Sequence, residues 1–536
     1  GYYTDTDNNG LYELTFISNK TIFPNKNAQH LFSNLNNVQS FEFDNFSTIG
    51  TTSFLGMFQG CNKITALDLN NWDTSNVISF GNAYWSYGGM FQDCISLEEL
   101  KIENWNMAQA KDISSMFRNC KSLTSINLNK WNTNNIEQMQ CVFLNCTQLV
   151  KIELDELDTS NVKSMNNIFS SCNKLNILNL KKWNTSNLTD MTGMFQNCYS
   201  LTELDLSNFN TGQVESTEKL FYNCSELISL NLKNWNTSNI INMNNMFNSC
   251  LKIAELDLSN FDTSNVTTMV GMFSTCKQLK KLNVAGFNTS QVTNMSKMFS
   301  DCNSLTELDL SKWDTSKVTT LLSTFEKCSS LEKLDLNNWD VSKVTEFGHN
   351  GWSYGGTFEY CTNLKELNIE NWNTESAKDI SNMFAFNGSL TKLNVNNLNT
   401  SSVTAMYAVF SGCNNLTELD LSKWNTSKVT YMDAMFINCN SLTNLDLSSW
   451  NTENLKSVVN MFQYCINLVS VKLDNLKTDK ITNMQGMFHN CRSLTEIDLS
   501  DFDTKNVTNM AAMFQQCTNL KTIYVKEYDS TNNTGW

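Results

Sequence analysis

Hydrophobic and polar positions alternate along this chain in a unit that returns every 26 residues. In the copy at 302–325, CNSLTELDLSKWDTSKVTTLLSTF, the segment LTELDL at 305–310 alternates apolar with polar residues, as a strand with one buried face does. SKWDTSKVT follows, and its Ser, Asp and Thr around a Trp predict a corner with the aromatic ring pointing inward. A second short strand through Val318 and a Met/Phe segment then lead to the next cysteine. That cysteine stands at 120, 146, 172, 198, 224, 250, 276, 302 and 328, and a period in this range predicts a solenoid.

Residues 1–60 read as an N-terminal cap with a strand at 11–16 and a first atypical coil, Leu35 standing in the cysteine position. Residues 61–526 read as the solenoid and 527–536 as a C-terminal tail. The steps from Cys61 to Cys94 and from Cys328 to Cys361 are 33 residues, so each holds a seven-residue insertion, and Asn387 replaces one ladder cysteine. Counting Leu35 and Asn387 gives about nineteen coils. A longer period lies above the coil: FGNAYWSYGGMF at 80–91 returns as FGHNGWSYGGTF at 347–358, an offset of 267 residues that reads as two tandem blocks.

Stacking in register makes specific demands on the columns. A phenylalanine recurs in every coil from Phe32 and Phe58 to Phe325 and Phe514, predicting a continuous ring column in the core. Five residues after the ladder position, Glu255, Lys281, Glu307, Lys333, Glu366, Lys392 and Glu418 alternate in sign, which places opposite charges on adjacent parallel strands in one register only. Two residues further on, Asn179, Asp205, Asn231, Asp257, Asn283 and Asp309 alternate amide with carboxylate, so this column can satisfy itself by hydrogen bonds without a calcium ion.

Composition narrows the partners. Net charge is −15 and Arg occurs only at Arg118 and Arg492, which argues against nucleic acid and anionic membranes. No run of about 18 apolar residues is present, so no transmembrane segment is expected. The chain opens at Gly1 without a charged or apolar leader, as a mature product or a trimmed segment would. It closes on IYVKEYDSTNNTGW without an obvious cap, and an uncovered coil there would offer strand edges to another chain.

The unit assembled from 201–208 and 261–276, LTELDLSNFDTSNVTTMVGMFSTC, resembles the repeat of BspA-like leucine-rich surface proteins, including the mycoplasma-type surface lipoprotein repeat. The hallmark is a strand, then D-T-S-x-V-T, then M-F-x-x-C-x-x-L, and it covers essentially residues 31–526. The resemblance implies a right-handed leucine-rich-repeat solenoid with a parallel β-sheet along one face. It also implies an extracellular or cell-surface location and a role in adhesion or protein interaction. Asn387, the off-ladder Cys141 and the two aromatic insertions depart from the pattern, and no lipid-attachment cysteine stands at the start.

Little in the chain points to catalysis. A uniform stack offers no nucleophile, base and orienting group converging in one coil, and no phosphate loop, HExxH or GxSxG is present, so a non-enzymatic protein is expected. His30, His349 and His489 sit in different coils without ligand spacing, so neither metal nor cofactor is expected. Parallel neighbours hold Cβ atoms farther apart than a disulfide prefers, which favours the ladder cysteines as buried thiols.

The insertions are the candidate contact sites: Tyr84, Trp85 and Tyr87 in the first, Trp352 and Tyr354 in the second, each followed by paired glycines. The same rings could instead fold back as packing. Asn184, Asn236, Asn288, Asn399 and Asn425 in NTS corners, with Asn265 and Asn506 in NVT, are candidate glycosylation sites. The expected function is an extracellular structural or adhesive scaffold, open to assembly into a filament or coat as a homopolymer. The alternative is a monomeric adhesin binding a host protein or glycan through the sheet face or the Trp/Tyr loops.

Overall fold

The alternation in each 26-residue unit is carried into a stack of coils with no helix among the described residues. The computed structural model describes residues 2–4, 10–16, 18–84, 88–349 and 355–525. The chain divides into two compact units, Gly1–Ile253 with Asn260–Asn265, and Ala254–Ser259 with Val266–Trp536.

The first unit opens with β1 (Tyr2–Thr4), antiparallel to β2 (Tyr12–Thr15), which lies parallel to β3 (Val38–Glu42). The strand predicted at 11–16 is therefore present as Tyr12–Thr15 and pairs with the strand that follows. Each later coil contributes at most a three-residue strand, because only its central apolar residue faces the core while its flanks face solvent. Ala66–Asp68 pairs with Glu99–Lys101, Ser125–Asn127 with Lys151–Glu153, and Glu203–Asp205 with Ser229–Asn231, all parallel. In the second unit Glu255–Asp257 pairs with Lys281–Asn283, Lys333–Asp335 with Glu366–Asn368, Asn444–Asp446 with Ser470–Lys472, and Glu496–Asp498 with Thr522–Tyr524.

The sheet along the strand face is thus a series of two-stranded pieces. LTELDL forms a paired strand at 201–206, yet the same six residues at 305–310 and 416–421 form none. Local sequence is identical, so the difference lies in the neighbouring coils. A three-residue contact supplies few ladder bonds and is marginal by itself.

The opposite wall is continuous instead. One residue per coil makes a parallel bridge to the next, running from Asn27 through Ser53 and Ser79 to Asn242 in the first unit. In the second it runs from Thr268 through Asn294 and Thr320 to Asn509. The second short strand expected through Val318 is this single bridge, two residues later. Beside it the Met/Phe segment makes tight turns whose amides donate to the following coil, as Phe117 does to Val142 at 2.9 Å and Phe299 to Thr324 at 2.9 Å. Outside the two insertion coils, two residues of each such turn adopt left-handed backbone, for example Ser323 (φ 56°) and Lys327 (φ 59°). Asn and Gly recur there because they enter that region at least cost.

Between the walls lies the core. The Phe rings stack at 5.2–5.9 Å from Phe58 to Phe247 in the first unit and at 5.3–5.9 Å from Phe273 to Phe514 in the second. Nearly all are completely buried, and burying one large apolar side chain stabilises by roughly 1.5–3 kcal/mol.

Candidate interaction surface

Most of the polar groups that might carry chemistry are consumed inside the stack. The ladder cysteines are free thiols. In nearly every coil Sγ donates to the carbonyl of the phenylalanine 29 residues earlier, as Cys302 does to Phe273 at 3.1 Å and Cys146 to Phe117 at 3.0 Å. Burial pushes these thiols up, to about 12 for Cys146 and Cys198, so the nucleophilic thiolate is suppressed. Indole Nε1 groups reach back one coil in the same way, Trp131 to Ile102 at 3.0 Å and Trp424 to Val395 at 3.0 Å.

The D/N-T-S corner has two separate jobs. The Asp or Asn accepts from the Ser amide two residues on, as Asp314 does from Ser316 at 2.9 Å, closing the turn. The Thr between them is buried, and its Oγ1 donates to a backbone carbonyl of the next coil, Thr315 to Asp340 and Thr159 to Asn184 at 2.9 Å each. Sequence reasoning read this Thr as a turn former and missed the staple. Its recurrence in nearly every coil, with buried Met107 and Val341 as the exceptions, beside partners that alternate between Asp and Asn, is the signal that it does something they do not.

The strand face carries the exposed chemistry. Lys281 pairs with Glu255 at 2.9 Å, Lys333 with Glu366 at 2.8 Å and Lys392 with Glu418 at 2.9 Å, in the register expected from the alternating signs. The ladder is paired rather than continuous, since each lysine closes on one neighbour. Glu307, between Lys281 and Lys333, makes no ion pair within 4 Å among the described residues. In the adjoining column Asn231 donates to Asp205 at 3.0 Å and Asn283 to Asp257 at 2.9 Å, so the amides separate the carboxylates. Hydrogen bonds from Ser207 and Ser259 hold Asp205 and Asp257 below the usual carboxylate range. Across the unpaired coil at 305–310 opens a groove of about 920 Å³, lined by Glu255, Asp257, Lys281, Glu307, Asp309 and Lys333 among others.

Of the insertion residues, Tyr84 is 93% exposed. Trp85, Tyr87, Trp352 and Tyr354 lie outside the described residues. The two insertions leave and rejoin the stack alike: Met90 donates to Phe80 at 2.9 Å and Thr357 to Phe347 at 2.8 Å. Gly89 and Gly356 are required at the return, where a Cβ would lie 1.8 Å from the Ser115 carbonyl oxygen and 1.9 Å from that of Asn382. Sequence reasoning passed over the residue that holds each stem. Gln92 Oε1 accepts from the Gly88 and Gly89 amides at 3.1 and 3.3 Å, and Glu359 Oε2 from Gly355 and Gly356 at 2.8 and 3.1 Å.

The seven sequon asparagines, Asn184, Asn236, Asn265, Asn288, Asn399, Asn425 and Asn506, are all exposed. They are not equivalent. Nδ2 of Asn265 donates to the Ser238 carbonyl at 2.7 Å and that of Asn506 to Asp479 at 2.6 Å, whereas Asn184, Asn236, Asn399 and Asn425 use Oδ1 to cap their own corner.

A family model described as "Mycoplasma protein of unknown function, DUF285" matches at residues 26–152, 115–232, 142–255, 242–350, 353–472 and 443–535. Among curated protein sequences none matches. Among solved structures the chain is similar to a leucine-rich repeat protein from Bacteroides ovatus, with 16% identity over 97% of this chain and 98% of that one and a TM-score of 0.32. It is similar also to a leucine-rich repeat protein of Leptospira interrogans, at 13% identity over 91% and 96% with a TM-score of 0.22. An internalin of Listeria monocytogenes matches at 15% over 62% and 81%, with a TM-score of 0.22. Among the described residues no helix is long and apolar enough to cross a membrane.

Proposed function

We propose that this chain, which belongs to the DUF285 family of mycoplasma proteins of unknown function, is an extracellular, non-enzymatic scaffold that works by adhesive contact through its strand face. One observation carries the reading: the thiols, indoles and threonine hydroxyls are spent on joining coil to coil, while the strand face presents charged and amide side chains in register. Such a face offers area and pattern rather than an enclosed pocket, which suits a protein partner, including another copy of the chain. This is the role the resemblance to BspA-like surface repeats implies, and assembly into a filament or coat is its structural form.

A second reading, a monomeric adhesin, is favoured by the groove at Glu307 and by the exposure of Tyr84. Light scattering on the full chain separates the two: concentration-dependent growth in mass supports assembly, and a monomer at micromolar concentration supports the adhesin. Protease shaving of intact cells tests the location, and a chain that survives shaving but is digested after lysis contradicts it. For either reading, Lys281→Glu with Lys333→Glu should abolish the contact without changing the far-UV spectrum. Unchanged assembly and unchanged capture would remove the strand face from consideration.

A further inference from the structure

Gln92 and Glu359 occupy equivalent places, 267 residues apart, and make the same two bonds to paired glycine amides. Their remaining atoms differ. Gln92 Nε2 donates to Asp93 Oδ2 at 3.1 Å. Glu359 is completely buried, its Oε1 finds no hydrogen-bond partner among the described residues, and the buried Ser323 Oγ is likewise without one. The position corresponding to Asp93 is Tyr360.

We propose that Glu359 is a proton-operated clasp: the coil it closes is held while its carboxyl is protonated and loosens when that proton is lost, whereas the coil closed by Gln92 does not respond to pH. The geometry supplies the reason. A neutral carboxyl is the isostere of the Gln92 amide and leaves an uncharged hydroxyl, rather than a charge, in the buried site. A carboxylate there leaves one charged, buried oxygen without a partner among the described residues, which favours opening of the Gly355–Gly356 stem to solvent.

The surrounding charges oppose one another, and burial decides the outcome. The preceding coil places Glu326 in the same column, its side chain 8% exposed and paired with Lys327 at 3.0 Å, so that lysine is already engaged. Asp301, one coil earlier, also acts on Lys327. The following coil presents Ala385, Phe386 and the Asn382 backbone, and the insertion itself contributes the His349 side chain beside Gly355. Burial first, then Glu326, push Glu359 up to about 7, against the two glycine amides and Lys327, which act downward. A carboxyl raised in the folded state stabilises fully below its ordinary value of 4.5 and loses that contribution as pH rises through 7.

Hydrogen exchange on the full chain at pH 5 and pH 8, corrected for intrinsic rates, tests this. The opening constant of the segment 355–361 should rise on the order of fifty-fold between the two pH values, while that of 88–94 stays within about twofold. Glu359→Gln, which installs the residue the first block already uses, should remove the response. Equal pH dependence in both segments, or an undiminished response in Glu359→Gln, overturns the proposal.

Discussion

The side-chain amide of Asn387 donates to the carbonyl oxygen of Phe384 at 2.9 Å, inside its own coil, where the thiol of Cys413 reaches that same carbonyl from the next coil at 3.2 Å. The longer amide turns inward rather than back, and its buried Oδ1 is left without a partner among the described residues. Asn387→Cys should therefore restore the bond toward Phe358 and remove an unsatisfied acceptor. A gain of about 1–3 kcal/mol is expected, read as a higher denaturant midpoint, and a lower midpoint would show that the amide is better accommodated than its bonds suggest.

The buried thiols should be chemically silent. Only Cys141 lies off the ladder and is partly exposed, and burial raises its thiol as well. Alkylation of the native chain followed by peptide mass spectrometry should label Cys141 first and leave Cys302 and Cys328 untouched until denaturant is added. Labelling of Cys302 at the rate of an exposed thiol, or a mass showing disulfide loss of hydrogen, would contradict the ladder.

Two threonines of one coil should behave differently. Thr315 is buried and bonds forward to Asp340 at 2.9 Å, while Thr319 is exposed and bonds back to the Thr293 carbonyl at 3.1 Å. Thr315→Val should cost about 1–2 kcal/mol and Thr319→Val less than about 0.5 kcal/mol, compared by urea midpoints at unchanged slope. Equal costs would deny the staple its special place.

This contrast also marks what could be read from the residues. The Phe column and the pairing of Lys281 with Glu255 were legible because each depends on a 26-residue offset, which a linear sequence displays directly. The forward bond of Thr315 was not, because a threonine that turns the chain and one that joins two coils have the same neighbours. Nor was the break in the strand ladder, since LTELDL at 201–206 and 305–310 is the same string with different pairing. The insertions are legible as 33-residue steps in a 26-residue ladder, and their aromatic rings are what stands out there. The residues that hold the stems, Gln92 and Glu359, sit among polar positions that vary from coil to coil, and only burial sets Glu359 apart.

In-register winding of the coils underlies every statement about the strand face. Zero-length carbodiimide cross-linking of the native chain, read by mass spectrometry, joins a lysine only to a carboxylate it touches. The account predicts links of Lys281 to Glu255, Lys333 to Glu366 and Lys392 to Glu418, each spanning one coil. Links that join these lysines to carboxylates half a coil away, in place of those three, would contradict it.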